Sequence, residues 1–300
     1  MRDQQRAFLY AGGAIGLWST VATVFKLTLR YVAPLELVAF SSLVSFLVLL
    51  TLLLFQGRMG RLLSSSPREW IASAALGLLN PYLYYVVLFA AYSRLLGQEA
   101  LVLNYTWPIT LVLLSALLLG QPFGARSLAA LLMSFAGVVF IATRGRFTDV
   151  RFSDPLGTGL AVGSSLIWAL FWIYNLKDNR EETVKLCLNF FFGSIYSLVT
   201  LLAIRGPLAL PQAGWPGIVY VGFFEMGITF VLWLKAMRLA RRAALISNLV
   251  FLSPFLSLLF LHLILGEELF LSTLLGLVLI VGGILLQRYR SFGPEGAGKG

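Results

Sequence analysis

The sequence predicts an all-α integral membrane protein with ten transmembrane helices in two inverted five-helix repeats. Three observations predict this fold. Of the 300 residues, 59% are apolar and 12% are charged, whereas a soluble domain carries about 25% charged residues, so lipid must replace water around much of the surface. The apolar residues form ten runs of about 20, the length that crosses a bilayer core. Residues in the second half of the chain also match residues in the first half at a constant offset.

The ten predicted spans are separated by short connections. The first run follows Arg2 and Arg6 and continues without a clear cleavage site, which favours a retained helix over a signal peptide. The predicted spans cover residues 7–25, 34–55, 70–92, 98–119, 126–143, 155–175, 185–204, 215–236, 243–265 and 270–287. The glycine-rich residues 291–300 are predicted to be a disordered tail.

The basic residues predict the orientation of these helices. With both termini in the cytoplasm, sixteen of the 23 Lys and Arg residues fall on the cytoplasmic side. The other seven are Lys26, Arg30, Arg94, Arg144, Arg146, Arg151 and Arg205. The positive-inside rule therefore favours cytoplasmic termini, although the group at 144–151 argues against it. The predicted location is a bacterial inner (plasma) membrane.

A shift of 146 residues aligns part of the second half of the chain with the first without gaps. Pro108 then falls on Pro254, and Gly137 falls on Gly283. Because five spans is an odd number, the second copy must enter the membrane from the opposite side, as in the inverted repeats of secondary transporters. The repeats are assigned to residues 1–150 and 151–290. Chance matching of two leucine-rich stretches is the alternative.

Matched helix breaks accompany the repeat. Pro108 and Pro254 lie mid-span at corresponding positions, and Pro81 corresponds to Gly227, another residue that weakens helices. A proline inside a helix releases a backbone carbonyl, and such a group survives at membrane depth only where protein or a watery cavity satisfies it. Corresponding breaks in two halves therefore predict a transport cavity with gating segments. Kinks buried in dry packing are the alternative.

Aromatic and amide side chains cluster at mid-depth in the first, third, fourth and sixth predicted helices. Rings at this depth are less easily explained as an interfacial belt, and their N–H and O–H groups can reach a ligand. The predicted substrate-binding residues are Trp18, Tyr84, Asn104, Tyr105, Trp107, Trp168 and Trp172. Asn104 and nearby hydroxyls are expected to hold an amino or carboxylate group. Core packing is the alternative for any single ring.

Acidic residues within the apolar runs are few. Glu225 is predicted to lie mid-span in the eighth helix, where a carboxylate is costly and indicates function. It either exchanges protons or holds an amine, unless a neighbouring helix satisfies it. Glu36 and Glu99 lie near helix ends and are expected to be solvated caps.

Glycines at a spacing of four predict close contacts between helices. Two such pairs are Gly12 with Gly16 and Gly159 with Gly163. Internal packing seams are the favoured interpretation, and a dimer face is the alternative. The predicted assembly is a monomer.

The sequence lacks the residues that several other classes of protein need. The only cysteine is Cys187 and the only histidine is His262, so neither a metal site nor a cofactor is predicted. A nucleophile–base pair, as in an enzyme, and a polar face along one span, as in a channel, are both missing. The basic residues do not form one soluble patch, which argues against nucleic-acid binding. The predicted partners are a small-molecule substrate and the lipid bilayer.

Three local strings resemble a known family. They are Leu17-Trp18-Ser19-Thr20, Asn104-Tyr105-Thr106-Trp107-Pro108, and Asp154-Pro155-Leu156 followed by Ile167-Trp168-Ala169. These strings look like those of the YddG-type exporters of aromatic amino acids, and the second is the most specific. Nearly the whole chain resembles the wider group, the EamA-type members of the drug/metabolite transporter superfamily.

The resemblance implies a secondary transporter that exports aromatic and other neutral amino acids by alternating access. It places Tyr105, Trp107 and Trp168 on a central cavity, with Tyr84 as a weaker companion because the third helix matches the family poorly. Glu225 matches no motif of the family. A transporter of the same superfamily with a different small-molecule cargo is the alternative.

Overall fold

The computed structural model describes residues 2–119, 124–145, 154–205, 212–239, 249 and 252–288, and this part of the chain contains helices and no strand. In chain order the elements are α1 (Arg2–Thr28), α2 (Pro34–Phe55), α3 (Met59–Leu63), α4 (Pro67–Gly77), a first π-helical segment (Leu78–Leu83), α5 (Tyr84–Arg94), α6 (Gly97–Asn104), α7 (Trp107–Leu119), α8 (Ala125–Ala142), α9 (Pro155–Leu176), α10 (Glu182–Arg205), a 3₁₀ turn (Gln212–Gly214), α11 (Trp215–Tyr220), a second π-helical segment (Val221–Ile228), α12 (Thr229–Leu239), α13 (Leu252–Leu265) and α14 (Leu271–Arg288). The predicted boundary between the repeats and the predicted tail lie outside the described residues.

Six stretches in the described part are long and apolar enough to cross a bilayer. They are Asp3–Thr28, Pro34–Phe55, Pro67–Arg94, Pro155–Asn175, Glu182–Ile204 and Gln212–Trp233. Three shorter apolar helices are Leu128–Ile141, Leu252–Leu265 and Leu271–Leu286. The six long stretches coincide with predicted spans one to three and six to eight, and the short helices fall within the fifth, ninth and tenth. The length and composition of these helices define a multi-pass membrane protein.

Local sequence explains where several helices begin. Ser66 caps α4 by accepting a hydrogen bond from the Glu69 N–H (3.3 Å), while the Glu69 carboxylate accepts one from the Ser66 N–H (2.6 Å), a reciprocal pair that satisfies two otherwise free donors. Asp154 caps α9 by accepting a hydrogen bond from the Gly157 N–H at 2.7 Å. That bond, together with Arg94, holds the pKa of Asp154 below its usual value, because both favour the ionised carboxylate.

Three interruptions break the helices inside the bundle. In the first π-helical segment Asn80 has an extended backbone (φ −147°, ψ 122°) next to Pro81. The second π-helical segment contains Gly227. The predicted fourth span is two helices, because the chain leaves helical geometry between the end of α6 and the start of α7. The break thus precedes Pro108, which lies in the first turn of α7, and the side chain of Pro108 lies outside the described residues.

The helices pack in pairs that link the two halves of the chain. The pairs α2–α10 and α8–α14 join elements that occupy corresponding positions in the two predicted repeats. The central helix α1 packs on α12 and α13, and α9 packs on α5, α6 and α7. With the predicted halves exchanged, the contacts of α1 with α12 and α13 correspond to those of α9 with α5 and α7.

Close approaches between helices occur at glycines other than those predicted. A Cβ on Gly77 would overlap the main-chain carbonyl of Asn189 in α10, and a Cβ on Gly222 would lie 2.5 Å from the carbonyl of Ser41 in α2. By contrast, none of the four glycines predicted to form seams has a described atom within 4 Å of a Cβ built on it. Gly12, Gly16, Gly159 and Gly163 are therefore not seams against the described part of the bundle.

Ion pairs join connections at each end of the bundle. At the end where α2 finishes, Arg58 and Arg61 pair with Glu181, the latter at 2.8 Å. Arg94 is the last residue of the span that begins at Pro67, so it lies at the opposite end of the bundle. It pairs with Asp154 at 3.0 Å. The α2–α3 and α9–α10 connections therefore share one end, and the α5–α6 and α8–α9 connections share the other.

The two acidic residues expected to be solvated are buried. The Glu99 side chain is 3% exposed and accepts a 2.8 Å hydrogen bond from Arg144. Glu36 is also buried and accepts a 2.6 Å hydrogen bond from the Ala33 N–H at the start of α2. Both residues cap their helices as expected, Glu99 by accepting a 3.4 Å hydrogen bond from the Leu96 N–H, but the expectation that they are solvated was wrong.

Candidate functional site

A cavity of about 100 Å³ lies among α1, α5, α6, α7, α9 and the second π-helical segment. Six of the seven predicted substrate-binding residues line it, namely Trp18, Tyr84, Asn104, Tyr105, Trp107 and Trp168. The seventh, Trp172, lies one turn further along α9, where its ring packs edge-on against Trp168 at 5.8 Å. Trp172 supports this wall without lining it.

All three helix interruptions contribute to this cavity. Tyr84 is the first residue after the first π-helical segment, Asn104 and Tyr105 stand where α6 ends, and Glu225 lies within the second π-helical segment. Of the four residues predicted to cause the breaks, Pro81, Gly227 and Pro254 are not among the described lining residues, and the side chain of Pro108 is not described. Pro81 instead packs against Gly193, and Gly227 and Pro254 are buried.

Aromatic rings form one wall of the cavity. Trp168 lies 4.6 Å from Tyr84 and 5.8 Å from Phe230 between ring centroids. Trp18 also contacts Phe230, at 6.4 Å, and it contacts Trp233 at 5.3 Å. Aromatic pairs at such distances stabilise one another beyond their buried area, so the packing holds the rings in place before any ligand binds.

The polar side of the cavity is centred on Asn104. Its amide nitrogen donates a 2.8 Å hydrogen bond to the Ser164 hydroxyl, which in turn donates to the Ala161 carbonyl at 2.6 Å. Tyr84 donates a longer 3.4 Å hydrogen bond to the amide oxygen. This chain orients the amide and leaves it with one further N–H donor.

Glu225 is buried at the edge of the same cavity. Its side chain is 8% exposed, and the Tyr85 hydroxyl donates a 3.3 Å hydrogen bond to Oε1. Oε2 is buried and accepts no hydrogen bond from the described residues. The neighbouring helices satisfy this carboxyl only in part.

Apolar residues at one end of the cavity were not predicted. They are Phe25, Leu88, Tyr92 and Leu101, together with Val21 and Ala22 on α1. Side chains of these types occur in every apolar run of the chain, so neither their identity nor their spacing distinguishes a cavity wall from a lipid-facing surface.

A hydrogen-bonded connection lies one helical turn before Leu101 of this apolar end, and we call it the Gln98–Glu267 clasp. The Glu267 carboxylate accepts hydrogen bonds from the N–H groups of Gly97 (2.9 Å) and Gln98 (3.2 Å) at the start of α6. The buried Gln98 side chain donates to the Glu268 carbonyl at 2.7 Å and accepts from the Phe270 N–H at 3.2 Å. The clasp thus ties the start of α6 to the α13–α14 connection, across the two halves.

We expect Gln98→Ala to expose the cavity from the side of the clasp. The variant loses two hydrogen bonds of about 0.5–1.5 kcal/mol each, so the open form should become roughly tenfold more populated. The measurement is the rate at which a charged thiol reagent modifies Ala22→Cys in purified protein. Ser93→Ala is the matched control, because this exposed hydroxyl bonds only the Ala90 carbonyl. Equal rates in the two variants would contradict a covering role for the clasp.

A larger cavity of about 800 Å³ lies elsewhere, where α4 and the end of α9 meet the connection after α9. Its wall includes Arg68, Lys177, Asp178 and Arg180, and the cavity is open on one side. Arg180 is already held by Asp178 and donates a 2.8 Å hydrogen bond to the Ser73 hydroxyl. None of the predicted site residues lines this cavity, which therefore has no part in the candidate site.

The fold and the central cavity define the class: a multi-pass α-helical membrane protein whose helices break around an aromatic, partly polar chamber. The chain belongs to the EamA-like transporter family, which matches residues 5–143 and 155–289. It is therefore a membrane transporter, as the resemblance of its sequence implied.

Individual relatives cover most of the chain. The uncharacterized transporter YvbV of Bacillus subtilis is 26% identical over 95% of this chain and 92% of its own length. The aromatic amino acid exporter YddG of Ancylobacter novellus is 27% identical over 77% of this chain and 79% of its own length. A solved crystal structure with 26% identity superposes with a TM-score of 0.66, covering 94% of this chain and 96% of that one.

Proposed function

We propose that the protein is a secondary transporter that works by alternating access between two inverted five-helix halves, residues 1–150 and 151–290. Six of the ten proposed spans are the longer stretches. The other four are α6 together with α7, α8 alone, α13 together with the residues before it, and α14 alone. The exchanged helix contacts support this architecture, as does the 3.4 Å hydrogen bond from Ser134 to the carbonyl of Ile280, since these residues are related by the 146-residue shift. Equivalent halves can trade conformations and so reverse the side from which a central site opens.

We propose that both termini face the cytoplasm of a bacterial inner membrane. The end of the bundle where Arg58, Arg61 and Lys177 lie carries most of the basic residues in this orientation, as the positive-inside rule requires. The Gln98–Glu267 clasp then faces the outside. The proposed working unit is a monomer without a cofactor.

The proposed cargo is an aromatic or other neutral amino acid, moved by export. The observation that carries this proposal is the position of the aromatic and amide side chains, which meet where three helices break. Flat ring faces suit a planar cargo, and the relative from Ancylobacter novellus is named for export of aromatic amino acids. The cavity of about 100 Å³ is smaller than typical ligand pockets of roughly 300–1,000 Å³, so it must widen to accept this cargo.

Trp107→Ala tests this function in proteoliposomes. Removing a ring from the cavity wall should reduce counterflow of labelled phenylalanine by roughly tenfold or more. Trp107→Phe keeps a flat ring and should retain most of the activity. Normal counterflow by a well-folded Trp107→Ala protein would mean that the cargo passes elsewhere.

A different small-molecule cargo is the second candidate, and Glu225 is the observation that favours it. A carboxylate among rings suits a flat cation as well as an amino acid. Thermal-shift measurements on purified protein, comparing amino acids with cationic dyes, would separate the two classes by which of them raises the melting temperature.

A further inference from the structure

The Glu225 carboxyl has unused hydrogen-bonding capacity inside the cavity. The side chain is more than nine-tenths buried, lines the cavity next to the Trp18 indole, and accepts a hydrogen bond from Tyr85 at Oε1. Oε2 accepts nothing from the described residues. Buried polar atoms in native proteins almost always have a partner, so the arrangement lacks a donor.

The described part of the cavity wall also supplies no positive charge. None of the ion pairs among the described residues involves Glu225, and the described residues that line the cavity include no Lys, Arg or His. A buried carboxylate without a countercharge is strongly destabilising. An organic ammonium ion would supply both the missing donor and the missing charge.

The rings beside Glu225 suit the rest of such a ligand. Trp18, Tyr84 and Trp168 line the same cavity, and the faces of Trp and Tyr rings attract cations within about 6 Å. A carboxylate with aromatic neighbours therefore forms a site for an ammonium group attached to a flat apolar body.

We infer that the preferred cargo is an aromatic amine, whose ammonium group binds Glu225 Oε2 while its ring lies against the Trp and Tyr side chains. The inference rests on the proposed function, which identifies this cavity as the cargo site. A zwitterionic amino acid brings a second carboxylate into a cavity that offers it no basic residue, and the Asn104 amide already donates one hydrogen bond to Ser164. Charge therefore ranks the ligands as amine, then amino acid, then carboxylic acid.

Three ligands with the same ring test this order: 2-phenylethylamine, phenylalanine and 3-phenylpropionate. Their affinities would be measured by isothermal titration calorimetry on the purified protein at pH 7. We expect the amine to bind about 10- to 100-fold more tightly than 3-phenylpropionate, the range expected for one hydrogen bond between charged groups. Glu225→Gln preserves size and should abolish this difference. Glu268→Gln is the matched control, because it removes one negative charge from an exposed side chain outside the cavity.

Each outcome decides the inference. Equal affinity of the wild-type protein for the amine and for phenylalanine overturns it, and this comparison needs no variant. An amine preference that persists in folded Glu225→Gln protein overturns it as well. If phenylalanine binds and is transported without any amine preference, the proposed function stands and the inference falls. If none of the three ligands binds or is transported, both fall.

Discussion

Replacing Gly77 with alanine should clearly destabilise the folded protein. The added Cβ would overlap the main-chain carbonyl of Asn189 and lie 3.1 Å from both the Gly193 nitrogen and the Phe192 Cβ. Main-chain atoms cannot rotate away as a flexible side chain can, so α4 and α10 would have to separate. Overpacking of this kind costs typically about 1–3 kcal/mol, a large part of a total stability of about 5–15 kcal/mol. The measurement is the folded yield and melting temperature after purification in detergent.

Gly12→Ala is the matched control for this experiment. The same methyl group on α1 meets no described atom within 4 Å, and alanine favours helices over glycine by about 1 kcal/mol. Its melting temperature should be unchanged or higher. A Gly77→Ala protein as stable as Gly12→Ala would show that α4 and α10 do not pack as closely as described.

Trp168→Ala should remove both cargo binding and much of the wall that forms the cavity. The Trp168 ring contacts Tyr84, Phe171, Trp172 and Phe230 at centroid distances from 4.6 to 6.1 Å. Truncating a fully buried ring of this size costs about 3–5 kcal/mol, and Trp168 is partly buried, so the cost should be smaller than that. We therefore expect a lower melting temperature together with a phenylalanine affinity reduced by at least tenfold, both measured on purified protein.

Two further variants separate the role of Trp168 in cargo binding from its role in stability. Trp168→Phe retains a ring against Tyr84 and should recover most of the affinity. Trp215→Ala removes a ring of the same kind from a site that is 42% exposed, so it should change affinity little. Wild-type affinity in a folded Trp168→Ala protein would exclude this wall from the cargo site.

The positions of the helix breaks were predictable only in part. Pro108 predicted an interruption within the fourth span, and the structure has one, but at the residues that precede the proline. Proline lacks an N–H and is well tolerated in the first turn of a helix, so it ends the preceding helix and starts the next. The same property places Asn104 and Tyr105 at the interruption, where they line the cavity.

The packing seams were not predictable from glycine spacing. The pattern at Gly12 and Gly16 is regular, yet the close contacts lie at Gly77 and Gly222, which have no such spacing in the chain. Whether a glycine meets another helix depends on which face the bundle buries, and an apolar sequence in lipid carries no signal for that face because both faces are apolar. The burial of Glu99 was missed for a similar reason: its partner Arg144 is distant in sequence.

The chain alone identified a membrane transporter with many apolar helices, and it singled out the aromatic and acidic residues that the structure gathers at the cavity. These follow from composition, run length and local strings, because the bilayer imposes a minimum length on helices and a high cost on buried polar groups. Tertiary structure decided which of those residues share one cavity, and it placed Trp172 behind the wall. It also left Glu225 with one unpaired oxygen. Such relations depend on distances between segments far apart in the sequence, which only the packed helices define.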